Sequence, residues 1–355
     1  MHRFLAALLS CTFTVTSLFM ASWHIAHADG ADFSDSSVSA AIAAADEDTI
    51  QQIHRQRMAY YAEMAGWARI PWYYFAAVDQ FERNVQAAQK KTNAGMKSDG
   101  RTLAIAIPPT LWSGWLNPDP NDTNPDTIRF FGGIGQDGNG DGIADPNNDD
   151  DVVVTFLTYM SPYFTSEEDF LHGLWEYYGT DSAVRHIKAF AAIYRTFQRL
   201  DLDEYTFPIP RGYNYTYHDT WGHARGWGGR RMHEGTDIFA AYGTPVRSVG
   251  YGYVEVVGWN KYGGWRVGIR DLRNIYHYYA HLSGFEKSIR PGKVVKPGEI
   301  IGYVGNSGYG KPGTQGKFPP HLHYGMYKFD GRNQWAFDPY PYLKTWERAD
   351  RWKKR

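Results

Sequence analysis

The sequence of 355 residues has one cysteine, Cys11, and a formal net charge of only −1 at pH 7. A lone cysteine cannot close an intramolecular disulfide, which leaves the apolar core and bound metal as the sources of stability. Lys and Arg number 37 against 38 Asp and Glu, so no charge excess favours a nucleic acid or a polybasic contact with a membrane. The composition therefore predicts neither of these partners.

The N-terminus is typical of an export signal. Arg3 gives a short positive region, residues 4–23 are apolar or small and uncharged, and residues 26–28 (Ala-His-Ala) match a small-x-small cleavage site. We therefore expect residues 1–28 to be a signal peptide, and the mature chain to contain neither Cys11 nor a stable membrane span. An apolar run of about 20 residues can also span a bilayer, so an uncleaved anchor is the alternative.

The N-terminal half of the remaining chain has a helical pattern. Four segments space their apolar residues at intervals of three and four: 53–68, 71–89, 152–160 and 167–200. A loop rich in Gly, Pro, Asn and Asp separates the first pair from the second. Because the chain is longer than one domain of roughly 100–200 residues, we expect a mainly helical domain over 29–205 and a proline-containing linker over 206–212.

From residue 213 the pattern changes to short β-branched and aromatic runs punctuated by Gly, Pro and Asn. The clearest runs are 244–249, 253–257, 265–269, 275–279 and 300–304. Several short strands at this spacing predict an antiparallel β-sandwich or barrel. We therefore predict an all-β domain over 213–345, followed by a basic tail over 346–355.

Three motifs in this β domain can ligate a metal ion. They are His233-Glu-Gly-Thr-Asp237, His281 in Tyr-Tyr-Ala-His-Leu, and His321-Leu-His323. Two imidazoles and one carboxylate are donors that zinc takes, and three protein ligands leave the fourth tetrahedral position free for water, as in hydrolases. The motifs hold more imidazoles than such a site needs, and the surplus can serve as catalytic bases.

The spacing of these residues supports a shared site. Side chains two apart on a strand project from the same face, so His321 and His323 can reach one ion while Leu322 points into the core. Gly235 permits a turn that brings the two ends of the first motif together. Spacing alone does not say which imidazoles bind the metal and which act as bases.

The stretch from about residue 230 to 329 resembles the LytM/lysostaphin-type zinc metallopeptidases, which hydrolyse peptide bonds in bacterial peptidoglycan. The resemblance rests on the three motifs above and on Val294-Val-Lys-Pro-Gly-Glu-Ile-Ile-Gly-Tyr-Val-Gly. It implies that His233, Asp237 and His323 bind one zinc ion. It also implies that His281 and His321 are catalytic and exchange protons with the attacking water and the leaving amine.

An acidic loop in the N-terminal half is a candidate calcium site. Asp137, Asn139 and Asp141 place oxygen donors at positions one, three and five, with Gly142 at position six, as in a calcium-binding loop. The twelfth position is Asn148 rather than the bidentate Glu. A solvated acidic loop without an ion is therefore the alternative.

The segment from Pro71 to Glu82 resembles the helix on which lysozyme-like lytic transglycosylases carry their catalytic glutamate, here Glu82. The resemblance implies a lysozyme-like fold for the N-terminal domain. Glycosidic cleavage needs a protonated carboxyl, and Arg83 would favour the ionised form of Glu82 if it lay close enough. We therefore expect a glycan-binding domain, with Glu82 glycosidase activity, and hence a bifunctional wall hydrolase, as the alternative.

These features together predict an exported zinc-dependent endopeptidase whose partners are the stem peptides and glycan of bacterial peptidoglycan. The expected location is the cell wall, the extracellular space, or the forespore and spore cortex compartment. The two-domain arrangement resembles wall endopeptidases of sporulation, which implies the L-alanyl-D-glutamate bond of the stem peptide. A non-enzymatic activator built on the same fold is a further alternative, although such proteins usually lack ligands that this chain retains.

Overall fold

The computed structural model describes three stretches of the chain: residues 36–90, 101–225 and 231–352. The predicted signal peptide, residues 1–28, lies outside them. The chain divides into two compact units, Met1–Gln51 and Gln52–Arg355, and the second contains both the predicted helical region and the predicted β region. Within the described stretches, no helix is both long enough and apolar enough to cross a membrane.

The N-terminal region is helical, as predicted. Its α-helices are α1 (Ser36–Ala68), α2 (Trp72–Lys90), α3 (Pro109–Ser113), α4 (Pro125–Phe130), α5 (Asp149–Met160), α6 (Glu167–Tyr178) and α7 (Asp181–Phe197), with a 3-10 turn at Ser161–Tyr163. Side chains of Asn148, Ser166 and Thr180 cap the last three helices by accepting hydrogen bonds from their first-turn amides. The lysozyme-like character of this region remains a prediction.

The C-terminal region is an antiparallel sheet, also as predicted. Its strands are β1 (Tyr215–Tyr217), β2 (Ala224–Arg225), β3 (Arg231–Met232), β4 (Thr236–Ala240), β5 (Pro245–Arg247), β6 (Gly252–Asn260), β7 (Gly264–Arg270), β8 (Tyr276–Phe285), β9 (Val294–Val295), β10 (Ile300–Val304), β11 (His321–Phe329) and β12 (Gln334–Phe337). In the described chain, ten of these form one sheet, in which β1, β4, β11, β8, β7, β6 and β9 are successive neighbours. The strand β11 therefore lies between β4 and β8. Its last four residues, Met326–Phe329, also pair with β12.

The segment predicted as a linker packs into the sheet region. Phe207 and Ile209 are buried in the same core as the sheet, and Thr206 donates to the carboxylate of Asp350 at 2.7 Å. Asp350 lies on α8 (Tyr340–Trp352), which occupies most of the predicted basic tail. These contacts tie residues 206–212 to the last helix.

The helical region also packs directly against the sheet region. Asn84 of α2 donates to the carbonyl of Leu272 at 2.9 Å, and the ring of His186 on α7 meets Phe329 of β11 edge-on at 4.6 Å. Leu272 and Phe329 belong to the apolar core of the helical region although they lie in the sheet part of the chain. A shared core of this kind is consistent with Gln52–Arg355 being one compact unit.

Candidate metal centre

The pairing of β4 with β11 brings two of the predicted ligands together. His323 is the direct cross-strand partner of Asp237, and His233 precedes β4 by three residues. Three donor atoms converge there: His233 Nε2 lies 3.1 Å from Asp237 Oδ1 and 3.0 Å from His323 Nδ1, which is 2.9 Å from the same Oδ1. Within the described residues, these three side chains are the group of His, Cys, Asp and Glu that could hold a metal ion.

The triangle of donor atoms fits a small divalent ion. A tetrahedral zinc site with bonds of about 2.0–2.1 Å separates its ligand atoms by roughly 3.3 Å, slightly more than the edges of 2.9–3.1 Å here. Two imidazole nitrogens and a carboxylate oxygen are the donor types of such sites. These three residues could therefore hold a metal ion, and their chemistry suits zinc.

A hydrogen bond behind His233 fixes the orientation of its ring. His233 Nδ1 donates to the carbonyl of Thr220 at 2.7 Å, which leaves the Nε2 lone pair directed at the other ligands. Burial opposes ionisation of Asp237, but the close imidazoles of His233 and His323 prevail and hold its pKa below the usual range. The carboxylate is therefore ionised and ready to bind a cation.

Gly235 acts through space rather than through the turn that the sequence suggested. Its φ is not in the left-handed region, so the backbone there does not require glycine. A Cβ at this position would lie 2.5 Å from the ring of His323 and 2.7 Å from the carbonyl oxygen of Tyr324. The glycine is needed because the imidazole of His323 packs against its backbone.

His281 is held in a strained conformation beside these ligands. Its φ of 62° is in the left-handed region, which costs a residue other than glycine about 1–3 kcal/mol and is typical of functional positions. The backbone amide donates to Gly263 at 2.7 Å, and Nδ1 donates to the carbonyl of Ser307 at 2.8 Å. This arrangement leaves Nε2 as the proton acceptor of a buried ring.

The electrostatic surroundings keep His281 neutral. Burial is the main cause, and the neighbouring imidazoles of His321 and His323 add to it, so that the pKa of His281 is well below its ordinary value. The ring of His281 lies 4.8 Å from that of His321 and 5.9 Å from that of His323. A neutral imidazole can accept a proton, as a general base must.

His321 is the fifth residue of the cluster. Its Nδ1 donates to the carbonyl of Pro319 at 2.9 Å, and its Nε2 lies 3.8 Å from Asp237 Oδ1. The alternation predicted for β11 is confirmed, because Leu322 is fully buried in the core while the two flanking histidines project to the other side. The structure thus brings all five residues predicted for the site into one cluster.

A cavity of about 270 Å³ opens beside this cluster. Besides the site histidines, its lining includes Glu234, Asn260, Tyr262, Tyr278, Tyr309 and Tyr327. The ring of Tyr309 stacks on His281 with an interplanar angle of 19°, and Tyr278 meets His323 edge-on. The sequence analysis did not predict these tyrosines. The repeated Tyr beside His in β8 was the available signal for Tyr278, whereas Tyr309 comes from a distant loop.

The predicted calcium loop uses its oxygen atoms internally. Asp137 accepts hydrogen bonds from the amides of Gly140 and Gly142, and Asn139 and Asp141 accept from amides two residues further on. These bonds stabilise the loop as a series of tight turns. Calcium binding by Asp137, Asn139 and Asp141 remains a prediction.

Glu82 lies far from the histidine cluster, on α2. Its side chain is buried, and Tyr178 donates to Oε1 at 2.8 Å. Arg83 points elsewhere and forms an ion pair with Asp79 at 2.8 Å, so the expectation that it would ionise Glu82 does not apply. Burial instead raises the pKa of Glu82 to about 7.

Comparison with known proteins places these features in context. Residues 231–339 match the family described as Peptidase family M23. The chain is 52% identical over 300 residues to the L-Ala--D-Glu endopeptidase of Bacillus subtilis, which covers 84% of this chain and 91% of that protein. It is also 36% identical over 115 residues to the glycyl-glycine endopeptidase ALE-1 of Staphylococcus capitis, covering 32% of this chain and 29% of that protein.

Among solved structures, the catalytic domain of lysostaphin from Staphylococcus simulans is 32% identical, with a TM-score of 0.30. The match covers 37% of this chain and 92% of that domain. The match to the relative from Bacillus subtilis is long enough to include most of the helical region.

Proposed function

The chain belongs to peptidase family M23, and from that premise we propose that it cleaves the L-alanyl-D-glutamate bond in the stem peptide of peptidoglycan. That it is a zinc-dependent peptidoglycan endopeptidase is shown by its family and relatives. The particular bond is the proposal. It is supported by 52% identity to an L-Ala--D-Glu endopeptidase over 84% of the chain, the helical region included.

We assign the zinc ligands to His233, Asp237 and His323. The observation that carries this assignment is the convergence of their three donor atoms within about 3 Å of one another. Zinc bound there would lower the pKa of a coordinated water and polarise the scissile carbonyl. The carbonyl of Thr220 holds the ring of His233 in place, and the lowered pKa of Asp237 keeps its carboxylate ionised.

We assign proton transfer to His281 and His321. Both rings donate from Nδ1 to a backbone carbonyl, which fixes the tautomer with an unprotonated Nε2. Such a nitrogen can accept the proton of the attacking water and return it to the leaving amine. The low pKa of His281 favours the neutral form that the first of these steps requires.

We further propose export by the segment 1–28 and action in the wall or the spore cortex. The charge and apolar pattern of that segment supports export. The alternative of a non-enzymatic activator is not retained, because the chain keeps the residues that could hold the metal and those proposed to transfer protons.

The direct test is mass spectrometry of purified peptidoglycan after digestion by the mature chain. New amino termini on D-glutamate, absent when a chelator is present, would support the proposed bond. New termini at another residue would refute the bond but leave the peptidase intact. His321→Ala serves as the matched control, because it removes a proposed base while leaving the three proposed ligands in place.

A further inference from the structure

We propose that a cavity between α7 and the sheet binds the C-terminal carboxylate of the substrate peptide, several residues beyond the bond that is cleaved. The inference rests on the proposed function, because it concerns the stem peptide that the endopeptidase cleaves. It makes a free carboxyl end part of what the enzyme recognises in its substrate.

The cavity has a volume of about 470 Å³ and lies between elements of both regions. One wall is the start of α7, another is formed by β6, β7 and β8, and the third is the hairpin tip 330–332 between β11 and β12. The tip packs on α2, since a Cβ on Gly331 would lie only 3.2 Å from a methyl group of Val85. The third wall is therefore held in place by the helical region.

The ionisable side chains that line this cavity carry an excess of positive charge. Arg185, Arg270 and Arg332 line it, against one carboxylate, that of Glu255. Arg270 is buried, forms an ion pair with Glu255, and also donates to the side-chain oxygen of Asn274 at 3.0 Å. The charge that is available to a ligand is therefore that of Arg185 and Arg332.

These two arginines come from different walls of the cavity. Arg185 lies on α7 and Arg332 on the hairpin tip; both are exposed, and neither forms an ion pair within the described parts of the chain. Asp181, one turn before Arg185, instead accepts a hydrogen bond from the indole of Trp175 at 2.9 Å. A guanidinium presents paired N–H donors that match the two oxygens of a carboxylate. Two of them on opposite walls suit a single carboxylate between them.

A buried histidine in the same cavity lacks a hydrogen-bond partner. His186 is only 3% exposed, and within the described residues its Nδ1 is unpaired. Buried polar atoms are nearly always paired, so an unpaired one indicates a ligand or an ordered water. Burial, with Arg270 and Arg185 nearby, lowers the pKa of this ring to about 2, so the imidazole is neutral and carries one N–H. A carboxylate oxygen is a partner that such a donor can use.

The helix α7 meets the cavity with its N-terminal turn. Ser182, its second residue, lines the cavity, and the helix is 17 residues long. The first-turn amides of a helix carry a partial positive charge and favour anions. The side chain of Thr180 accepts a hydrogen bond from only one of these amides, that of Ala183. The helix end therefore adds to the attraction of the two arginines.

The cavity and the metal centre lie close together along the sheet. Tyr276 lines the cavity described here, whereas Tyr278 and Tyr327 line the cavity at the metal centre. Tyr327 is the cross-strand partner of Tyr276, and their rings lie 6.1 Å apart. One pair of tyrosine rings therefore separates the two cavities.

This separation matches the length of a short peptide. From His323 to Tyr327 the strand β11 advances by four residues, or roughly 13 Å at about 3.3 Å per residue. An extended peptide with its scissile bond at the metal spans that distance with about four residues. The carboxylates of the stem peptide lie after the proposed bond, because D-glutamate carries one and the C-terminus another, whereas L-alanine has an uncharged side chain. The carboxyl end is therefore the anion that can reach the cavity.

The first experiment compares two stem peptides that differ only at the C-terminus, one a free acid and the other an amide. The wild type should cleave the acid with at least tenfold higher kcat/KM. In the double variant Arg185→Gln/Arg332→Gln this preference should fall to within twofold. Arg348→Gln, at an exposed position on α8, is the matched control and should keep the wild-type preference. Equal cleavage of the two peptides by the wild type, or an unchanged preference in the double variant, would overturn the proposal.

The second experiment measures binding without cleavage. The variant His321→Ala is treated with phenylglyoxal, which labels arginine, and the labelled positions are identified by mass spectrometry. The acid peptide should slow labelling of Arg185 and Arg332 at least fivefold, the amide peptide should not, and Arg348 should be labelled equally throughout. Equal protection by both peptides would overturn the carboxylate assignment. Protection by inorganic phosphate but not by the acid peptide would identify a different anion and would also overturn it.

The two experiments separate this proposal from the proposed function. New amino termini on D-glutamate released equally fast from both peptides would overturn the carboxylate site and leave the endopeptidase standing. If neither peptide were cleaved at that bond, the proposed function would fail. The protection of Arg185 and Arg332 would then still decide whether the cavity binds a carboxyl end.

Discussion

Replacing Glu82 with glutamine should make the stability of this protein less dependent on pH. The carboxyl is buried against Tyr178, and burial raises its pKa from an ordinary value of 4.5 to about 7. Each unit of difference between the folded and unfolded pKa corresponds to about 1.4 kcal/mol. The shift therefore corresponds to about 3 kcal/mol of unfolding free energy.

The direction of this effect follows from proton binding. Between pH 4.5 and about 7 the folded state keeps the proton of Glu82 while the unfolded state releases it. Stability must therefore fall as the pH rises through that window. Below pH 4.5 both states are protonated and there is no cost, and above pH 7 the full cost remains. Glutamine has no proton to release, so the variant escapes this loss.

Urea unfolding of the wild type and Glu82→Gln from pH 4.5 to pH 8 tests the reasoning, with chelator present throughout so that metal binding is the same. The difference in unfolding free energy should shift by about 3 kcal/mol in favour of the variant as the pH rises. Glu168→Gln, at an exposed position on α6, is the matched control and should show a constant difference. If the difference in unfolding free energy were also constant for Glu82→Gln, the conclusion that the Glu82 carboxyl is buried with a raised pKa would be wrong.

Three further predictions concern β11. His323→Ala should lose both zinc and activity, whereas His321→Ala should keep zinc and lose roughly 10²–10⁴-fold in kcat. Metal analysis measures the zinc content and peptide release measures the activity. Loss of zinc from His321→Ala would contradict the assigned roles. Leu322→Ala should lower the unfolding free energy by about 2–5 kcal/mol in urea, because the side chain is fully buried, and a cost below about 1 kcal/mol would argue against that packing. Tyr324→Phe should cost about 1–3 kcal/mol, because His277 Nδ1 loses a buried partner at 2.7 Å, and no measurable cost would mean that this hydrogen bond is not formed.

Local patterns predicted the longer helices of the first region and several strands of the second. Apolar spacing of three and four predicted the second half of α1, α2, α5 and one helical segment over 167–200, which the structure divides into α6 and α7. The β-branched runs predicted the strands β5–β8 and β10. The prolines of the segment 206–212 predicted a linker and nothing about its packing. Proline and glycine indicate where regular structure stops, but they do not reveal that Phe207 and Ile209 are buried in the core of the sheet region, which also contains Leu343 and Trp346 of α8.

The five residues of the metal centre were identifiable from the sequence because side-chain alternation and donor chemistry are local properties. His321 and His323 share a face, and the motif that begins at His233 supplies the carboxylate of Asp237. Their separate roles came from resemblance to a family. The strained φ of His281 cannot be predicted from the spacing of residues. The same holds for its hydrogen bond with Ser307, because that residue lies 26 positions away in the chain.

The sequence by itself determined the type of the longer helices and of the strands β5–β8 and β10, the five candidate residues of the site and the face of β11 that carries its histidines. Tertiary structure decided what depends on distant neighbours: the close approach that requires Gly235, the tyrosines around the cavity and the pKa of Glu82. It also decided that Arg83 pairs with Asp79 and that the hairpin tip 330–332 meets α2. The burial of a side chain and its interactions with charged groups depend on which residues surround it in space. The sequence determines those neighbours only through the fold.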